Sequence, residues 1–206
     1  MEPLHDRSYR VHVYRRDATT MVACAMVHDV KPPGLYVDDD PDPLSMHKMR
    51  VELEVEFPAL VIRRAEVEFD DYPQTPCPMI ADDYTALAGV SITRGFTHQV
   101  RELFGGPRGC AHVTALLQAM APAVVQAVWS MGILNQREAT ARDPEVAGAR
   151  RQLPPTDSCH VWAADGELTT RAAQGEILPP MIPVRERLSA LGRESPGQVT
   201  DPGESR

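Results

Sequence analysis

The sequence predicts an α+β fold: an N-terminal antiparallel β-sheet of about four strands, packed by a C-terminal helical half. Three observations carry this. Period-two alternation of apolar and polar residues dominates the first part of the chain, the links between alternating runs are short, and helical spacing takes over after a proline-dense connection at Pro73, Pro76 and Pro78. With 206 residues, 43% of them hydrophobic, the chain can bury one ordinary core. We expect a flexible N-terminus over 1–8, a single domain over 9–191 and a disordered tail over 192–206, where Gly, Pro and charge dominate.

The first strand is expected over Tyr9 to Tyr14, where Tyr9, Val11 and Val13 alternate with Arg10, His12 and Tyr14. A second apolar run, Thr20 to Val30, ends at Lys31-Pro32-Pro33-Gly34, and an aspartate-rich loop follows. The third strand has the clearest alternation, with Val51, Leu53, Val55 and Phe57 separated by Glu52, Glu54 and Glu56. Pro58-Ala59 turns the chain into a fourth, Leu60 to Phe69. Consecutive strands with short links give an antiparallel sheet with one face open to water.

Helices follow. Ala81 to Leu87 reads as a short one with Asp82 and Asp83 in its first turn, and Phe96 to Phe104 as a second that stops at Gly105. The long helix runs from about Cys110 to Met131 and aligns Val113, Leu116, Leu117, Met120, Val124, Val128 and Met131 on one stripe to cover the sheet. Pro122 lies inside it and should kink or split it. From Asn135 to Asp157 no period is sustained, so a loop or frayed helix is expected. Asp165-Gly166 between Val161–Ala164 and Glu167–Thr169 predicts a late short β-hairpin.

A net charge of -8 argues against nucleic acid and anionic membranes as partners. No apolar leader opens the chain and no window holds eighteen uninterrupted apolar residues, so we expect a cytoplasmic protein. Its four cysteines, Cys24, Cys77, Cys110 and Cys159, are too few and too scattered for a disulfide framework. Cys24, within an apolar run, reads as a core residue. The Asp38, Asp40, Asp42 run is not a calcium loop, because Pro43 and Met49 stand where glycine and glutamate are required.

Cys110 is the residue around which chemistry is expected. It follows Gly105-Gly106-Pro107-Arg108-Gly109 and opens the long helix, where unpaired backbone N–H groups and the helix dipole favour a thiolate. With His112 two residues on, it forms the centre of a metal reading, in which thiolate and imidazole hold zinc or iron and Cys77, Cys159 and His47 supply further ligands. The interval from Cys77 to Cys110 contains no Cys-x-x-Cys knuckle. The enzyme reading makes Cys110 a nucleophile and His112 its base, acting on a small anionic substrate. Residues two apart on a regular helix point about 200° apart, so this requires Cys110 to be a cap residue; His98 or His47 are alternative bases. Arg108 could help hold a carboxylate or phosphate. A third reading is a non-catalytic binding or assembly protein, which predicts an exposed apolar patch on the helical side. Whichever reading holds, the expected partner is an unidentified small molecule or protein, with a homodimer as one option.

The residues resemble a bacterial family known only as domain of unknown function 2889. The resemblance covers about residues 9 to 170 and is carried by Met46-His47-Lys48-Met49-Arg50, Tyr72-Pro73 with Cys77, Leu87-Ala88-Gly89, Gly95-Phe96, Leu103-Phe104-Gly105-Gly106 and Gly109-Cys110-Ala111-His112-Val113. The late Cys159 segment fits as well. Lys48 and Ala111 depart from that pattern, which tends to have an acidic residue and Thr there. The family implies a fold neighbourhood and no activity. A more distant similarity in layout, to NifU-type iron–sulphur scaffolds, implies Cys77, Cys110 and Cys159 as ligands with His112 or Asp82 nearby.

Overall fold

The structure is a computed structural model that describes residues 1–93, 95–146, 156–157, 159–176 and 178–193. These fall into two compact units, Met1–Ala149 and Arg150–Arg206. In the first, strands β1 (Asp6–Asp17), β2 (Thr20–Lys31), β3 (Leu44–Glu56) and β4 (Val61–Asp71) form one antiparallel sheet in the order β1-β2-β3-β4. A succession of 3₁₀ turns covers Cys77–Leu87, and helices α1 (Phe96–Phe104) and α2 (Ala111–Arg142) follow. The α+β fold and its four-stranded meander are thus as the alternation predicts.

The inner face of the sheet is built by strict parity. Met21, Ala23, Ala25 and Val27 of β2 lie beside Val55, Leu53, Val51 and Met49 of β3, and all are buried. Against them α2 lays Val113, Leu116, Leu117, Met120, Val124 and Met131. Each such side chain contributes about 1.5–3 kcal/mol on burial, so the stripe outweighs the roughly 3 kcal/mol that a proline costs inside a helix. Accordingly α2 continues through Pro122, which is exposed, and is not split there. By length and composition α2 could cross a membrane, yet this stripe is part of the core.

Four expectations need correction. Strand β1 begins at Asp6, because Asp6, Arg7 and Ser8 pair with Val30, Asp29 and His28. Helix α2 runs on to Arg142, since Arg15 of β1 hydrogen-bonds Asn135 Oδ1 at 3.1 Å and Glu138 Oε2 at 2.7 Å and so anchors a polar run. The helix expected at Ala81–Leu87 is a 3₁₀ segment that starts earlier, at Cys77, with Pro76 at its N-cap. Cys24 is half-buried on the outer face, its thiol 3.7 Å from Glu52 Oε2, because the parity of Ala23 and Ala25 turns it away from the core.

In the second unit the predicted hairpin is absent. His160–Trp162 form a single 3₁₀ turn, Glu167–Ala173 form α3, and Ile182–Ala190 form α4. Gly166 has φ of -74°, so Asp165-Gly166 is no primed turn. The glycine is instead the N-cap of α3, whose Glu167 and Arg171 pair one turn apart at 3.3 Å. Residues 194–206 of the expected tail, and 147–155 of the loop or frayed helix expected over Asn135–Asp157, lie outside the described residues.

Candidate metal centre

The inner face of the sheet ends in a polar row. Parity continues the apolar series of β1, β2 and β3 by one step, to Arg7, Asp29 and His47, which are register neighbours across the three strands. Register shifts adjoin the row, between Asp29 and Val30 in the β2–β3 pair and between Lys48 and Met49 in the β3–β4 pair. Such bulges re-aim side chains next to sites.

The start of α2 meets this row. Gly109 makes the approach possible: a Cβ there would stand 2.6 Å from the carbonyl oxygen and 2.7 Å from the Cβ of Phe104. Cys110 is the N-cap, in extended conformation, and its side chain makes no capping bond. Its backbone N–H donates to the Tyr84 hydroxyl at 2.8 Å, and the wholly buried Tyr84 stacks on Phe104 at 4.4 Å between ring centres. Burial pushes the phenol up to about 12, which keeps it a neutral acceptor. The helix is thereby fixed so that His112, in its first turn, reaches the sheet.

Asp29 is the hub, with only 1% of its surface exposed. Arg7 forks onto it, Nε to Oδ1 and Nη2 to Oδ2, both at 2.6 Å. His5 Nε2 is 3.6 Å from Oδ1. Two imidazoles face Oδ2: His112 Nε2 at 3.2 Å and His47 Nδ1 at 3.3 Å, their rings stacked 3.8 Å apart. Burial opposes ionisation of Asp29, but the Arg7 hydrogen bonds and charge, with His112 and His5, outweigh it and hold the carboxyl below its ordinary range. For His112 burial dominates, with His47 and Arg7 adding to it, and pushes the imidazole down despite Asp29. His47 Nδ1 is buried and has no hydrogen-bond partner.

Asp29, His47 and His112 offer ligand atoms that all lie within 4.8 Å of one another. Zinc bonds of about 2.0–2.1 Å at tetrahedral angles place ligand atoms about 3.3–3.4 Å apart, close to the two separations at Oδ2. A carboxylate oxygen has two lone-pair sites, and Arg7 occupies one on Oδ2. Two imidazole nitrogens face the other, and that of His47 makes no hydrogen bond to it. A cation at the centre of the three atoms would satisfy all of them, with a fourth position left for water or a substrate.

Residues 5–126 match the family described as "Protein of unknown function (DUF2889)". The chain belongs to that family. The DUF2889 span contains every residue of the cluster, His5, Arg7, Asp29, His47, Cys110 and His112, and ends within α2. No curated protein and no solved structure matches the chain.

Of the ligands expected from sequence, the structure brings His47, His112 and Cys110 together. Cys110 Sγ lies 3.6 Å from His112 Nδ1, on the ring nitrogen opposite the one facing Asp29. Cys77 opens the 3₁₀ segment, half-buried, and Cys159 is exposed in the second unit; neither is in the ligand group found among the described residues. Two other expectations are corrected. His98 is exposed on α1 and faces Glu102 at 3.2 Å, and Arg108 donates to the carbonyls of Glu102 and Arg101, capping α1 where an anion was expected. Asp29, Arg7 and His5 join the site from outside the residues that the sequence singles out. The signal for Asp29 was present: a carboxylate at the next inward position of Met21, Ala23, Ala25 and Val27 is a charge inside the core.

Proposed function

We propose that the chain binds a divalent transition metal, zinc or iron, through Asp29, His47 and His112. One observation carries the reading: His47 Nδ1 is buried with no hydrogen-bond partner while it faces a carboxylate oxygen 3.3 Å away that His112 also faces. Buried polar atoms are satisfied in the great majority of cases, and a cation accounts for this one. Two imidazoles and a carboxylate suit zinc and non-haem iron alike. Three protein ligands leave a position at which a water can be acidified or a substrate oxygen polarised.

Metal analysis of the purified protein, followed by zinc titration after chelation, tests this. We expect one zinc per chain in the wild type and none retained by Asp29→Asn or His47→Ala. A wild type that stays metal-free at a zinc excess, with an unchanged melting temperature, overturns the reading, since a ligand at about 100 times its Kd stabilises by about 2.7 kcal/mol.

A second reading rests on Cys110 Sγ, His112 and Asp29 lying in succession at 3.6 and 3.2 Å. This is the order of a thiol nucleophile, its base and the group that orients the base, acting on a small anionic substrate. It expects rapid alkylation of Cys110 at neutral pH, slowed by Asp29→Asn. An alkylation rate equal to that of a free thiol removes it.

A further inference from the structure

We infer that Cys110 is the positioning partner of His112: its thiol orients the imidazole so that Nε2 faces Asp29 both with and without a bound cation. The inference rests on the metal reading and assigns the cysteine a place beside the ligand set, outside it.

The geometry of the ring leads to this. Nδ1 and Nε2 point in opposite directions, one to Cys110 Sγ at 3.6 Å and the other to Asp29 Oδ2 at 3.2 Å. A sulfur on the Nδ1 side therefore cannot share a cation with Nε2, Asp29 and His47. An ionised carboxylate only accepts, so without a cation the favourable tautomer has hydrogen on Nε2, leaving Nδ1 bare. The thiol then donates its S–H to Nδ1. A cation needs a bare Nε2, which places the ring hydrogen on Nδ1, and the sulfur then accepts it. A thiol is both a weak donor and a weak acceptor, so Cys110 suits both states. A carboxylate or carbonyl in its place would serve the loaded state alone. No competing bond draws the sulfur away, since it does not cap the helix, and the Cys110 N–H is tied to Tyr84. Outer-shell partners of this kind fix the tautomer and orientation of metal-binding histidines, and their loss weakens metal binding about 10- to 100-fold.

The test measures zinc affinity of the wild type, Cys110→Ser and Cys110→Ala, together with the ¹⁵N shifts of the His112 ring in the wild type with and without zinc. Serine keeps both a donor and an acceptor, so it should bind within a few-fold of wild type, whereas alanine should be about 10- to 100-fold weaker. The ring hydrogen should sit on Nε2 without zinc and on Nδ1 with it. Zinc binding by Cys110→Ala equal to wild type, or hydrogen on Nε2 in the loaded protein, overturns the inference and leaves the metal site standing. Serine as weak as alanine, with a thiolate charge-transfer band in the cobalt-loaded wild type, also overturns it by making the sulfur a ligand. Failure of the wild type to take up zinc overturns both.

Discussion

Removing Arg7 should cost more than removing the charge of its partner, because the two variants strand different groups. Arg7→Ala leaves the Asp29 carboxylate, 1% exposed, without its two 2.6 Å hydrogen bonds. Deleting one partner of a buried pair typically costs about 3–5 kcal/mol. Asp29→Asn strands a guanidinium whose side chain is 34% exposed, so water replaces much of what is lost. Solvent access discounts the penalty to about 1–2 kcal/mol. For a chain of this size the losses correspond to on the order of 10 °C against a few degrees in melting temperature. Thermal and urea unfolding followed by circular dichroism, in chelator so that no metal compensates, measure both. The pH dependence has a definite sign. In the wild type Asp29 titrates below its ordinary value of 3.8, so its contribution is present above pH 3.8 and is lost as pH falls through the folded-state value. Arg7→Ala removes the hydrogen bonds and charge that offset burial, so the stabilisation that the wild type gains as Asp29 ionises is lost and the deficit of the variant should widen as pH rises from about 4. The double variant should be more stable than Arg7→Ala alone. Equal losses in the single variants, or strict additivity in the double, would refute the reasoning.

Tyr84→Phe leaves the Cys110 N–H without its acceptor and should cost about 1–3 kcal/mol. Because Tyr84 is raised from 10 to about 12, its contribution is complete below pH 10 and is lost as pH climbs towards 12; the phenylalanine variant should lack that slope in alkaline unfolding curves. Gly109→Ala drives a methyl group against the Phe104 carbonyl and should destabilise by about 1–3 kcal/mol. It should also weaken zinc binding by displacing the start of α2, and unchanged calorimetric titrations would contradict this placement.

The sheet was legible because a strand with one covered face must alternate, and Val51, Leu53 and Val55 between glutamates leave one parity for the core. The stripe on α2 was legible for the same reason at helical spacing. Local preference leaves an outcome open, or points the wrong way, where distant partners or the surrounding chain decide it. Asn135 and Glu138 form helix because Arg15, far away in sequence, reaches them, and Asp165-Gly166 starts a helix where a hairpin turn was expected.

The candidate site divides in the same way. From sequence alone, Cys110 at a helix start with His112 beside it, and His47 before an alternating strand, stood out by residue type and position. Tertiary structure alone decided that His47 and His112 converge and that the hub is Asp29, which with them makes up the ligand group among the described residues. The physical reason is that cross-strand register and the approach of α2 over Gly109 bring together residues that no sequence spacing relates. A buried carboxylate is tolerable only beside the guanidinium that register supplies.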